Sequence, residues 1–202
     1  MFERPPPLPE RRFTSLLEAY AQPRRHYHGL AHIEAMLMGL QQCRRLLHDP
    51  EAVELAVWFH DAVYDARAGD NEESSAVLAR DALKERVEPV RLAKIEAFIL
   101  ATKRHELAGT SCEDDRSDLA HFLDLDLQIL GAPANQFDAY EAAVRLEYAH
   151  VEDAAWRLGR AAVLQRFAAR PGLYFSPFFA ERLDRQARDN LTRSLARLAA
   201  RG

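Results

Sequence analysis

Apolar residues recur at helical spacing along nearly the whole chain. Between Ile33 and Leu47 they fall at Ile33, Met36, Leu37, Leu40 and Leu47, mostly three or four residues apart, which predicts an amphipathic helix. Glu51 to Phe59 reads EAVELAVWF, apolar on most sides, the pattern of a central buried helix. The same spacing predicts helices over Asn71 to Val87, Pro89 to Thr102, Leu119 to Leu130, Ala134 to His150, Glu152 to Ala169 and Phe178 to Leu198. Proline, glycine and polar clusters predict loops at Pro5 to Pro9, Ala66 to Asp70, Glu106 to Arg116 and Arg170 to Pro177. Sustained period-two alternation and hairpin dipeptides are missing. The expected fold class is all-α.

Composition narrows the picture. With 202 residues and 48% apolar content, one domain with a real core is expected over residues 1–202, preceded by a flexible proline-rich start at residues 1–11. The net charge of -4 comes without a basic stripe, which argues against a nucleic-acid partner. Cys43 and Cys112 stand far apart in no metal-like pair, so no disulfide framework is expected and a reducing cytoplasm is the natural home. Met1 to Arg12 lacks the apolar region of a signal peptide, and no apolar run approaches the roughly 20 residues of a membrane span. Neither nucleic acid nor membrane is expected as a partner; the oligomeric state is left open.

Histidines and aspartates then carry the chemistry. His28 and His32 are four apart in RRHYHGLAHI, and on one helix they would share a face. His60 and Asp61 close the most apolar helix, where burial of either group unpaired is costly. That pair reads either as a hydrogen bond within a core or as part of a site. In FLDLDLQIL, Leu119, Phe122, Leu123, Leu127 and Leu130 form one helical stripe, with Asp126 in its middle and Asp124 pointing away. A carboxylate where the pattern demands a hydrophobe marks either a functional site or an Asp paired to a buried Arg or a helix terminus. Together His32, His60, Asp61 and Asp126 offer two imidazoles and two carboxylates. Such a set suits one divalent ion, Mn²⁺, Fe²⁺, Co²⁺, Ni²⁺, Zn²⁺ or, less well, Mg²⁺, and lacks the thiolates of a structural zinc site.

An ordered H…HD…D set in an all-α chain resembles the HD-domain superfamily of metal-dependent phosphohydrolases. YHGLAHI, WFHDAVYD, NEESSA, ATKRH, FLDLDLQILG, YEAAVRLEY and ARDNL, in that order, look like a bacterial branch of predicted HD-superfamily phosphohydrolases. The resemblance runs from roughly Arg12 to Leu195 and implies a helical bundle with His32, His60, Asp61 and Asp126 as metal ligands. YHGLAHI is also similar to the YHN-x-x-H motif of cyclic-nucleotide phosphodiesterases, which implies His28 as proton donor to the leaving group; Gly29 stands where those enzymes have Asn. LDLDL is similar to the A-D-R-L segment of (p)ppGpp hydrolases, whose Asp matches Asp126. Those enzymes carry Glu-Asp after their His-Asp pair, where this chain has Tyr64 and Asp65.

The function so implied is hydrolysis of a small phosphate ester, a nucleotide or phosphorylated metabolite, by metal-activated water, with Asp61 or Asp65 orienting the water and His28 as general acid. His105 lies where many HD proteins place a further histidine, which can bind phosphate or a second metal, and reads equally as a loop histidine facing solvent. Arg145 and Arg188 are the cations expected nearest a small anionic substrate. Asn71 and Glu72 read as a helix N-terminus in preference to site lining. The other classes are an HD-fold sensing or scaffold module with little turnover, and a di-iron oxygenase. The latter needs additional histidine ligands, for which the segment between the HD pair and Asp126 offers only His105 and His121.

Overall fold

A computed structural model describes residues 2–108, 110 and 112–200. Among the described residues the regular elements are all helical. In chain order they are α1 (Glu10–Tyr20), α2 (Leu30–Cys43), α3 (Pro50–Phe59), α4 (Asn71–Leu83), α5 (Pro89–Ala101), α6 (Glu113–Leu127), α7 (Ala134–Glu147), α8 (Asp153–Ala168) and α9 (Pro177–Ala200). Short 3₁₀ turns follow α2 at Arg44–Leu46 and α6 at Gln128–Gly131. No helix among the described residues is long and apolar enough to cross a membrane. The chain divides into two compact units, Met1–Leu125 and Asp126–Gly202, with the boundary in the last turn of α6.

The first unit is organised around α3. Asp49 caps its start, accepting from the Ala52 N–H at 3.1 Å, and Pro50 fills the first turn where no N–H is needed. Buried Asp118 of α6 holds the same corner, accepting from the backbone N–H groups of His48 and Asp49 at 2.8 and 2.9 Å. Ala52, Val53 and every residue from Leu55 to Phe59 are buried, as the all-round apolar pattern predicts. α2, α4 and α5 pack against α3, and α4 also packs against α5. Phe13 of α1 meets the Trp58 ring edge-on at 5.1 Å, and the Tyr20 hydroxyl donates to the Trp58 carbonyl at 3.1 Å.

The second unit packs α8 on α9, and both α7 and α9 on the Gln128–Gly131 turn. A Cβ on Gly131 would lie 2.6 Å from Leu183 Cβ and 2.9 Å from the Tyr174 hydroxyl, so only glycine lets α9 approach this turn. Fully buried Asn190 donates to the Leu130 and Ala132 carbonyls at 2.9 and 2.8 Å. Arg160 of α8 is buried and joins Glu141 and Tyr140 of α7, while Ser194 of α9 donates to the other Glu141 oxygen at 2.9 Å. Burial opposes the charge on Arg160, but Tyr140 and Glu141 more than offset it and raise its pKa.

Four features differ from the sequence pattern. α1 is a helix that the pattern did not predict, overlapping the expected flexible start only at Glu10 and Arg11, and it forms because Phe13, Leu16 and Tyr20 share a buried face. α6 begins at Glu113, within the predicted loop, where three acidic residues favour a helix N-terminus. His28 precedes α2 and does not share a helical face with His32. Finally, Asp118 to Leu125 are all buried, so α6 has no solvent face there and the stripe does not separate Asp124 from Asp126.

Candidate metal centre

α2 brings His32 to the site in its first turn. The chain reaches α2 through Gly29, packed so closely that a Cβ would stand 3.1 Å from the Tyr20 carbonyl and 3.2 Å from the Arg25 carbonyl. α3 delivers the next two residues, His60 closing the helix and Asp61 following it. The ligand atoms of His32, His60 and Asp61 all lie within 4.8 Å of one another. His32 and His60 are 5% and 1% exposed, and the Asp61 side chain is 16% exposed. The group is thus enclosed, with the carboxylate on its more open side.

Donor and acceptor logic fixes the orientation of His60. Its Nδ1 lies 3.0 Å from the Val57 carbonyl, so Nδ1 carries the proton and donates. Its Nε2 lies 3.1 Å from Asp61 Oδ2 and 3.2 Å from His32 Nε2. Ligands at about 2.1 Å from a shared ion are about 3.0 Å apart at an octahedral right angle and about 3.4 Å apart at a tetrahedral one. The observed separations fit that range. Two imidazole nitrogens and a carboxylate suit a borderline divalent ion. Phe122 closes one side, its ring edge-on to His60 at 6.0 Å, and Tyr27 tilts against His32 at 4.9 Å.

The segment after His60 is irregular, yet side chains pin it almost residue by residue. Arg25 donates to the Asp61 and Ala62 carbonyls at 2.5 and 2.9 Å. Ser75 Oγ accepts from the Val63 N–H at 3.1 Å and donates to its carbonyl at 3.3 Å. Asn71 accepts from the Asp65 N–H at 3.0 Å and donates to the Asp65 carbonyl at 2.9 Å. α4 starts at Asn71 with Glu72 in its first turn, the helix N-terminus expected there; Asp70 occupies the cap position and Asn71 ties down this loop. Arg25 and Ser75 are additions that the sequence pattern did not single out; both act on backbone groups, which leave no spacing signal.

The other expected site residues fall as follows. His28 stacks on Tyr64 with ring centroids 4.4 Å apart, and its ring is 6.1 Å from that of His32. Asp65 is half-buried, with Oδ1 accepting from the Arg67 N–H at 3.0 Å. His105 sits just beyond α5 with a positive φ of 52°. Asp126, the first residue of the second unit, is half-buried and near enough to Tyr140 to reinforce the rise in phenol pKa caused chiefly by burial. Asp124 is fully buried in the first unit, where its charge adds to the burial that lifts the Cys43 thiol to about 11.

Arg145 and Arg188 belong to the second unit and are engaged there. Arg145 donates to the Tyr148 and Val151 carbonyls and to Asp153 at 2.6, 3.0 and 2.6 Å, and lines a cavity of about 620 Å³ with Trp156. Arg188 pairs with Asp184 at 2.6 Å and donates to the Arg170 and Pro171 carbonyls at 3.2 and 2.9 Å. Comparison of the chain with protein-family models, characterised proteins and solved structures finds no match.

Proposed function

We propose that the chain is a metal-dependent hydrolase and, more narrowly, a phosphohydrolase acting on a small phosphate ester. The observation that carries this reading is the convergence of His32, His60 and Asp61, with His60 Nε2 beside the other two ligand atoms. The resemblance of the ordered motifs to the HD superfamily adds the reaction class. A divalent ion held by these residues supplies Lewis acidity, lowering the pKa of a water and polarising a phosphoryl oxygen.

The remaining roles fall to the chain's own groups. The Val57 carbonyl takes the hydrogen bond of His60 Nδ1 and so assigns ligation to Nε2, the usual arrangement around a ligating histidine. Asp61 or Asp65 orients the attacking water. His28, steadied by Tyr64, protonates the departing oxygen. The net charge of -4 favours a mononucleotide or sugar phosphate over a polymer.

Phosphate release from a panel of nucleotides and sugar phosphates, with and without a chelator, tests the proposal. The expected result is chelator-sensitive turnover of at least one small phosphoester, with weak salt dependence of KM. Metal-loaded protein that turns over no phosphoester contradicts it and favours the sensing module. Preferential cleavage of oligonucleotides contradicts the substrate class.

A further inference from the structure

Arg25 joins the two segments that carry the proposed chemistry. Its side chain is 8% exposed, and one nitrogen, Nη1, donates to the His28 carbonyl at 3.2 Å and to the Asp61 carbonyl at 2.5 Å. Nη2 donates to the Ala62 carbonyl at 2.9 Å. The guanidinium carbon lies 5.0 Å from the Tyr20 ring centroid and 5.6 Å from that of Tyr64. Tyr64 in turn stacks on His28. One planar cation therefore fixes the backbone of a proposed metal ligand, the backbone of the proposed acid, and the ring on which that acid rests.

We infer that Arg25 is a positioning residue, setting the distance between the general acid and the metal ligands; this rests on the functional reading above. The geometry needs a fork. A guanidinium can reach three carbonyls from two nitrogens while its carbon stays close to aromatic rings, whereas an ammonium is a point charge that cannot do both. The donors meet carbonyl oxygens of partly buried, irregular segments, so their loss frees backbone that no helix restrains. In this role Arg25 acts through His28 and Asp61.

Arg25→Lys tests this, because it keeps the charge and removes the fork. Three readouts separate positioning from a general loss of fold. Titration of the metal-free protein with Mn²⁺ should show affinity weakened about 10-fold, the scale of losses on removing groups that orient ligands. The His28 ring protons of metal-free protein, shifted in NMR spectra by the Tyr64 ring, should move toward free-histidine values. With metal saturating, kcat should fall about 10–100-fold with KM little changed. That fall should be larger for an alkyl phosphate, which needs a protonated leaving group, than for p-nitrophenyl phosphate, which does not.

Wild-type Mn²⁺ affinity together with an unmoved His28 resonance overturns the inference, and so does an equal loss on both esters. Should Arg25→Lys fail to fold, Tyr64→Leu removes only the ring shared by His28 and Arg25. It must reproduce the leaving-group preference, with Tyr64→Phe close to wild type; a Tyr64→Leu protein with equal losses on both esters refutes the clamp. Failure of the functional reading is distinguishable: the wild-type chain would then bind no Mn²⁺, or hydrolyse no phosphoester. The His28 resonance in Arg25→Lys would still decide the geometric claim.

Discussion

Each unit buries a polar cluster, and the two are built on opposite logic. In the second, the Arg160 guanidinium donates to Glu141 and Tyr140, and Ser194 donates to the remaining Glu141 oxygen. Charge meets opposite charge and donors meet acceptors, so the cluster is self-sufficient and rivets α7, α8 and α9. In the first, His60 Nε2 lies beside a carboxylate oxygen and a second imidazole nitrogen. Three residues of metal-ligating type converge there, a group that could hold a cation. Burial of polar groups alone does not mark a site; the sign of what converges does.

The strongest way to break that contrast is to remove ligands. His60→Ala and Asp61→Ala are each expected to lose bound metal and activity together, read by metal analysis beside phosphate release. His28→Ala should retain the metal and lower the rate on an alkyl phosphate by about 10²–10⁴-fold. Equal metal loss would recast His28 as a ligand. Arg160→Ala should leave metal content unchanged yet destabilise the protein by about 2 kcal/mol in urea unfolding, because it leaves half-buried Glu141 without its cation.

The smallest effect concerns acid. At Asp184, burial pushes the carboxyl pKa up, but bonds from Arg188 and the Leu173 N–H outweigh it and hold the group below its usual value. Asp138, hydrogen-bonded by Arg197, and Asp153, hydrogen-bonded by Arg145, are depressed as well. A carboxyl with a depressed folded pKa binds fewer protons in the native state, so its contribution is fully present above the ordinary carboxylate range. It is lost as pH falls through the folded value, that is below about pH 4. Asp184→Asn should therefore flatten the acid limb of the stability profile slightly, while leaving stability near pH 7 lower than wild type.

The helices were legible because burial imposes a period on side chains, and α3 most of all, since EAVELAVWF has almost no polar face. The His60–Asp61 pair stood out for the same reason, as polar residues at the end of an apolar helix. α1 was obscured by the prolines before it, although Phe13, Leu16 and Tyr20 carry the period. The choice between Asp124 and Asp126 was not legible, because a stripe argument presumes a solvent face that Asp118 to Leu125 do not have. Arg25 was invisible for a different reason: its acceptors are carbonyls of Asp61 and Ala62, which any residue provides and which lie far along the chain.

Equilibrium binding of Mn²⁺ and Zn²⁺ to the metal-free chain, compared with His32→Ala, His60→Ala and Asp61→Asn proteins whose fold is verified by circular dichroism, tests the central claim most directly. The account predicts saturable binding of one divalent ion per wild-type chain, weakened by each of the three substitutions and untouched by Arg160→Ala. A folded wild-type chain that binds neither ion, or binding that survives loss of both histidines, would contradict it.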